Sequence, residues 1–170
     1  MFERLSQIDW NAWIPEWHAT LLFLFRDEEV LLIHKKTGFG KGKINAPRGR
    51  VEPGETARAA AIREVREEVC VTPTGVEPCG QLFFQFLDGF TIQGEVFRAA
   101  DFEGEPAETA EAKPFWNSVH AMPYEQMWAD DRCWVPHVFA GEPFVGRFLF
   151  DGERMLDHDV FRTPGAVEHS

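Results

Sequence analysis

The sequence predicts an α/β (α+β) domain, a mixed β-sheet covered by helices. Two observations carry this. Residues 56–69 have a strong helical pattern, and β-rich runs stand on both sides of them, several joined by turn dipeptides. Strands, a central helix, more strands and a late helix are the order expected of a sheet with helices packed on it. With 170 residues, 44 % of them hydrophobic, the chain suits one domain with a single core.

Residues 1–18 stand apart. Trp10, Trp13 and Trp17 recur at spacings of three and four, so on a helix they share one face. An N-terminal extension docked on the core is expected there, with a partner or ligand surface as the alternative. The domain proper is expected over 19–165. Thr20–Phe25 and Val30–Lys35 read as strands joined by the charged turn Arg26-Asp27-Glu28-Glu29. Gly38–Gly42, with three glycines, reads as a loop. Gln81–Leu87 and Thr91–Arg98 flank Asp88-Gly89, and Arg147–Phe150 and Arg154–Leu156 flank Asp151-Gly152, two hairpin signals. Asp130–Ala140 reads as a shorter helix, bent or entered at Pro136.

Composition narrows the function classes. The net charge of −11 argues against a polymeric nucleic acid partner, whose phosphates select basic surfaces. It leaves room for a small phosphorylated ligand, because a bound cation inverts the local charge. The start Met1-Phe2-Glu3-Arg4 lacks a signal-peptide pattern, and no apolar run is long enough for a membrane span. Cys70, Cys79 and Cys133 are odd in number and lack metal-site spacing, so they read as reduced thiols. A cytoplasmic monomer without a membrane partner is expected.

The helix carries the chemistry. Thr56 is a good N-cap residue, and Ala57, Ala59, Ala60 and Ala61 favour helix. At about 100° per residue, Ile62, Val65 and Val69 fall on one arc and Glu64, Glu67 and Glu68 on another. Three carboxylates on one arc repel, so at least one pKa should rise, and a hard divalent cation would relieve them. A solvated acidic face is the plain alternative. Upstream, Gly49-Arg50-Val51-Glu52-Pro53-Gly54-Glu55 is a loop whose backbone can approach a metal or phosphate, and Glu55 is placed to reach Arg63.

These residues resemble the Nudix hydrolase signature: Gly49, Glu55, Arg63-Glu64-Val65, Glu67-Glu68 and Val71 stand in register over 23 residues. Cys70 replaces the glycine that ends the helix in that family, which puts the turn geometry in question. The resemblance implies a Nudix-type α/β/α sandwich and hydrolysis of a nucleoside diphosphate linked to another moiety. It implies Mg²⁺, with Mn²⁺ as a substitute, held by Glu64, Glu67, Glu68 and the backbone carbonyl of Arg48. Those glutamates would also be catalytic.

A wider similarity, from about Thr20 to Val160, is to the oxidised-purine nucleoside triphosphatase (MutT-homologue) branch. Lys35-Lys36-Thr37-Gly38-Phe39-Gly40, Asn45, Met127-Trp128-Ala129-Asp130-Asp131 and Trp134-Val135-Pro136 carry it. It implies substrate contacts by Thr20, Lys35, Phe39, Asn45, Arg50, Trp128, Asp130 and Asp131, and a metal approach by Glu111. The chemistry is apt. An amide reads a purine edge, an indole stacks, and two adjacent carboxyls sharing a proton offer donor and acceptor. Each residue also has an ordinary explanation: Asn45 as a turn residue, Trp128 as core, Asp130-Asp131 as a helix cap, Lys35 as a solvated lysine, Glu111 as a solvent-facing loop acid. Ala46-Pro47-Arg48 departs from that branch, which has glycine at the position of Arg48. A positive φ there would strain an arginine, and its side chain could crowd the entrance or grip a phosphate.

The implied reaction is hydrolysis of an altered purine nucleoside triphosphate, such as 8-oxo-dGTP, to monophosphate and pyrophosphate. The alternatives are the same chemistry on an RNA 5′ end, a dinucleoside polyphosphate or a nucleotide sugar, and a non-catalytic nucleotide sensor.

Overall fold

A computed structural model describes residues 2–164, so Met1 and Gly165, the outer limits of the two expected segments, lie outside the described residues. Strands β1 (Trp17–Arg26) and β2 (Glu29–Lys35) form the first hairpin, and the short strands β3 (Ile44–Asn45) and β4 (Arg48–Arg50) follow. Helix α1 (Ala57–Val69) precedes β5 (Thr72–Thr74), β6 (Glu77–Phe86), β7 (Thr91–Ala99), β8 (Asp101–Glu103) and β9 (Ala112–Ser118). Helix α2 (Asp131–Ala140), with Pro136 inside it, leads to the hairpin β10 (Phe144–Asp151) and β11 (Arg154–Arg162). Among the described residues nine strands form one sheet, in the order β11-β10-β6-β7-β1-β2-β3, with β4 beside β1 and β9 beside β2. β1 and β7 run parallel, as do β6 and β10, while the neighbouring pairs are antiparallel, so the sheet is mixed.

β1 shows why both faces are covered. Side chains alternate across a strand. Leu21 and Phe23 pack with Trp134, Val135 and Val138 of α2, whereas Leu22 and Leu24 pack with Ala61, Val65 and Val69 of α1. The unbroken apolar run around Leu21–Phe25 therefore belongs to a strand buried on both sides. The architecture is the expected α/β/α sandwich. Full burial of each such Leu or Val contributes about 1.5–3 kcal/mol.

The tryptophan face is not helical. Only Leu5–Gln7 make a single 3₁₀ turn, and Trp17 opens β1. Pro15 explains the difference: it disfavours helical backbone at Ile14, so no helix passes from Trp13 to Trp17. Trp10 and Trp13 instead pack 5.4 Å apart with their edges near Phe83. The Trp13 indole N–H donates to Gln85 Oε1 at 3.0 Å, and the Leu5 amide donates to Asp157 Oδ2 at 2.8 Å. No helix among the described residues is long and apolar enough to cross a membrane.

α1 starts and stops as its sequence dictates. Thr56 Oγ1 accepts the Ala59 amide at 3.1 Å. At the other end Cys70 takes φ 68°, ψ 19°, and its amide donates to the Arg66 carbonyl. The left-handed turn thus forms without glycine, at the steric cost of a Cβ. Cys70→Gly should raise unfolding free energy by about 0.5–1 kcal/mol. Urea denaturation measures it, and an unchanged or lower midpoint would contradict the expectation.

Candidate active site

α1 and β4 meet at the glutamates. Glu68 is fully buried; its Oε2 accepts Lys35 Nζ at 2.9 Å and its Oε1 accepts the Arg48 amide at 2.8 Å. Arg63 gathers the others. Its Nε and Nη2 grip both oxygens of Glu55 at 2.7 and 2.9 Å, Nη1 donates to Glu64 at 2.8 Å and to Glu67 at 3.2 Å, and Nη2 also reaches the Arg50 carbonyl. The acidic arc is therefore a structured cluster compensated by Lys35 and Arg63. Burial pushes Glu68 up to about 7 against the opposing pull of Lys35. Burial also raises Glu64, with repulsion from Glu67 and Glu111 adding to it. A raised pKa is as expected, but burial rather than mutual repulsion is its main cause.

Gly49 makes the approach of helix and strand possible. A Cβ on Gly49 would overlap the Glu64 carboxyl. Among the described residues no three acidic, histidine or cysteine side chains already enclose a single point. The donor set nonetheless suits a hard divalent cation: oxygen atoms only, from Glu64, Glu67, Glu68 and the β4 backbone, against a glycine cradle. Glu111, in an exposed loop, is near enough to act electrostatically on Glu64.

A cavity of about 280 Å³ opens on the other face of β4. Trp17, Phe39, Phe86, Trp128 and Phe150 form much of its wall, and Asp130 and Asp131 supply carboxyls. Both aspartates are buried. Asp130 Oδ2 accepts the Trp134 indole N–H at 2.7 Å, and Asp131 Oδ2 accepts the Trp128 amide at 3.2 Å. Burial pushes Asp130 up to about 6; burial and then the Asp130 charge hold Asp131 well above the usual carboxylate range. Arg48 opposes both shifts. Asp130 occupies the N-cap position of α2 without making a capping bond, so its side chain serves the cavity wall and Trp134.

The structure brings Lys35, Phe39, Arg48, Arg50, Trp128, Asp130 and Asp131 to this cavity. Lys35 is tied to Glu68 and is not solvated. Phe39 stacks on Trp128 with centroids 5.1 Å apart. The Arg50 guanidinium lies 4.2 Å from the centre of the Trp17 ring. Two expected contacts differ. Thr20 is buried and faces α1, because Ala19 and Leu21 on either side of it line the cavity and strand neighbours alternate. Asn45 is enclosed where β3 pairs with Ile33, its amide 3.4 Å from the Lys43 carbonyl, and it does not line the cavity. Arg48 has no positive φ, so the anticipated backbone strain is absent. Its side chain turns toward the aspartates. Trp17, Phe86 and Phe150 were not expected at the site. Extending the alternation of β1 back from Leu21 through Ala19 would have reached Trp17.

A profile of the NUDIX domain matches residues 16–138. An oxidized purine nucleoside triphosphate hydrolase of Danio rerio is 40 % identical over 151 residues, covering 88 % of this chain and 90 % of that protein. A protein of the same description from Mus musculus is 32 % identical over 143 residues, covering 83 % and 92 %. The crystal structure of a MutT protein from Bacillus halodurans has the same fold, with a TM-score of 0.77 over 85 % of this chain and 97 % of that one at 24 % identity.

The Gly49 cradle has a direct test. Gly49→Ala should lower unfolding free energy by about 1–3 kcal/mol, because the Glu64 carboxyl is displaced and α1 is pushed from β4. Stability within about 0.5 kcal/mol of the native chain in urea would show that no such close packing matters.

Proposed function

The chain belongs to the NUDIX family, and we propose that it hydrolyses oxidised or otherwise altered purine nucleoside triphosphates to the nucleoside monophosphate and pyrophosphate. The observation that carries the reading is the contact of two parts across β4. A glutamate cluster, with Glu68 buried, Glu64 half-buried and Glu67 exposed, lies on one side and an aromatic cavity with two buried carboxyls on the other. The likeness to two oxidized purine nucleoside triphosphate hydrolases over most of the chain supports it. The net charge of −11 disfavours an RNA substrate.

Glu64, Glu67, Glu68 and the Arg48 carbonyl would hold Mg²⁺ or Mn²⁺, with Glu111 beside them. The ion supplies charge neutralisation to the phosphate oxygens and a lowered pKa to water. The chain's own residues do the rest. Gly49 lets the Glu64 carboxyl lie against β4, and Lys35 and Arg63 hold the carboxylates in place. A helix glutamate accepts the proton of the attacking water. The cavity excludes water from the base, Trp128 and Phe39 offer aromatic faces, and the aspartate pair carries a proton that lets it donate as well as accept.

The catalytic unit is proposed to span 19–165, with 1–18 as an N-terminal extension in which Leu5, Trp10 and Trp13 pack on β6 and the last hairpin while Trp17 and His18 already open β1. It is proposed to act as a monomer on a small nucleotide. Three free cysteines support a reducing compartment, the cytoplasm.

Hydrolysis should require Mg²⁺ or Mn²⁺ and release pyrophosphate. Glu67→Gln and Glu68→Gln should each lower kcat by at least about 10²-fold with the fold retained. Product identification checks this, and orthophosphate as the first product, or full turnover in chelator, would reject the reading. Trp128→Ala should weaken purine binding by about 1–3 kcal/mol through lost stacking. KM and binding titrations would contradict that if they left affinity unchanged.

A further inference from the structure

We infer that Gly94 is a substrate-seating residue: its missing side chain leaves a depression in the floor of the aromatic cavity, where the ring system of the base lies against the backbone of β7. This rests on the proposed reading of the cavity as a purine-base site and adds what sets its depth. Among the described residues, Gly94 is the one glycine that the protein itself does not require. Nine others turn through positive φ, where a side chain is strained. Gly49, Gly80 and Gly146 stand where a Cβ would run into Glu64, Phe144 and Phe148. Gly94 has neither reason. Its φ is not positive, and a Cβ built on it would meet nothing closer than Leu82 Cβ at 3.7 Å and Leu21 Cδ1 at 3.8 Å, which are ordinary contacts.

A glycine in that place weakens the strand. Gly94 lies inside β7, where glycine loses more chain freedom than other residues and packs no side chain. Such a glycine marks a bulge, a bend or a close approach. The pairing around it has no bulge. β1 and β7 stay in register from Trp17–Ile92 to Leu24–Ala99, and the shift between β6 and β7 falls between Pro78 and Gly80, away from the Leu82–Gly94 pair. Close approach by a protein group is excluded by the open Cβ position. The approach of a ligand remains.

The neighbours give the depression its shape. Gly94 is paired with Ala19 on one side and Leu82 on the other, and all three line the cavity. Side chains alternate, so the next pair of β1 and β7 on that face is Trp17–Ile92. Two of the smallest residues thus stand side by side next to a bulky pair. A base resting there meets backbone and one methyl group. A larger residue at Gly94 would hold it off by the width of a side chain.

Gly94→Ala and Gly94→Val fill the depression in two steps. Calorimetric titration with 8-oxo-dGMP reads the result without any requirement for hydrolysis. Affinity should fall in both variants, by about 10-fold or more in Gly94→Val. Their urea midpoints should equal or exceed that of the native chain, because each gains a side chain in a strand where no protein atom opposes it. Mn²⁺ affinity should stay within about 2-fold of the native value, since the glutamates lie on the other face of the sheet. Undiminished binding of 8-oxo-dGMP by Gly94→Val would overturn the proposal, because the base would not rest there. A Gly94→Ala variant less stable than the native chain would overturn it as well, because the fold itself would need the glycine. So would an equal loss of Mn²⁺ affinity, because the effect would not be confined to the cavity. If 8-oxo-dGMP does not bind the native chain, the base-site reading falls and this inference with it. If it binds the native chain and both variants alike, the base-site reading stands and the role of Gly94 falls.

Discussion

Arg63 is the interaction on which the candidate site depends. Its planar fork serves both oxygens of Glu55, one each of Glu64 and Glu67, and the Arg50 carbonyl. A lysine has neither the number nor the fixed directions of donors for this. The consequence is geometric as well as electrostatic. Helix, loop and strand are joined at one side chain, and carboxylates that would otherwise repel are kept on one arc. The same bond, chiefly, holds the Glu55 carboxyl down at about 2. Glu55 therefore adds stability above the ordinary carboxylate range and loses it as pH falls toward about 2.

β4 is where chemistry and recognition touch. Three residues do opposite things on opposite faces. The Arg48 amide binds Glu68 and the absent side chain of Gly49 admits Glu64, while the Arg48 and Arg50 side chains turn to the aromatic cavity. The period of two in a strand is enough to produce this division. It also means that a substitution at position 48 leaves a backbone group toward the glutamates intact while altering the cavity wall.

The parts legible in the sequence were those determined locally. The glutamate arc, the Thr56 cap, the Glu55–Arg63 tie and both Asp-Gly hairpins follow from spacing within one element or one turn. The family likeness added the cavity residues Phe39, Trp128, Asp130 and Asp131 that no local pattern joins. What escaped was set by strand facing and by long-range packing. Trp17 was grouped with Trp10 and Trp13 by helical spacing, yet Pro15 separates them and β1 carries Trp17 to the cavity. Thr20 and Asn45 match by type, but alternation and the β3 pairing turn them from the cavity. The destination of the Arg48 side chain depended on partners more than eighty residues away at Asp130 and Asp131, which no reading of its own segment could supply.

The measurement closest to the central claim is Mn²⁺ affinity, read by electron paramagnetic resonance, in the native chain and in Arg63→Gln. Coulomb attraction alone predicts that removing a positive charge beside Glu64 and Glu67 tightens cation binding. If Arg63 organises the carboxylates, as its five acceptors suggest, the folded variant must bind Mn²⁺ more weakly than the native chain. Equal or tighter binding in a folded Arg63→Gln variant would contradict the account.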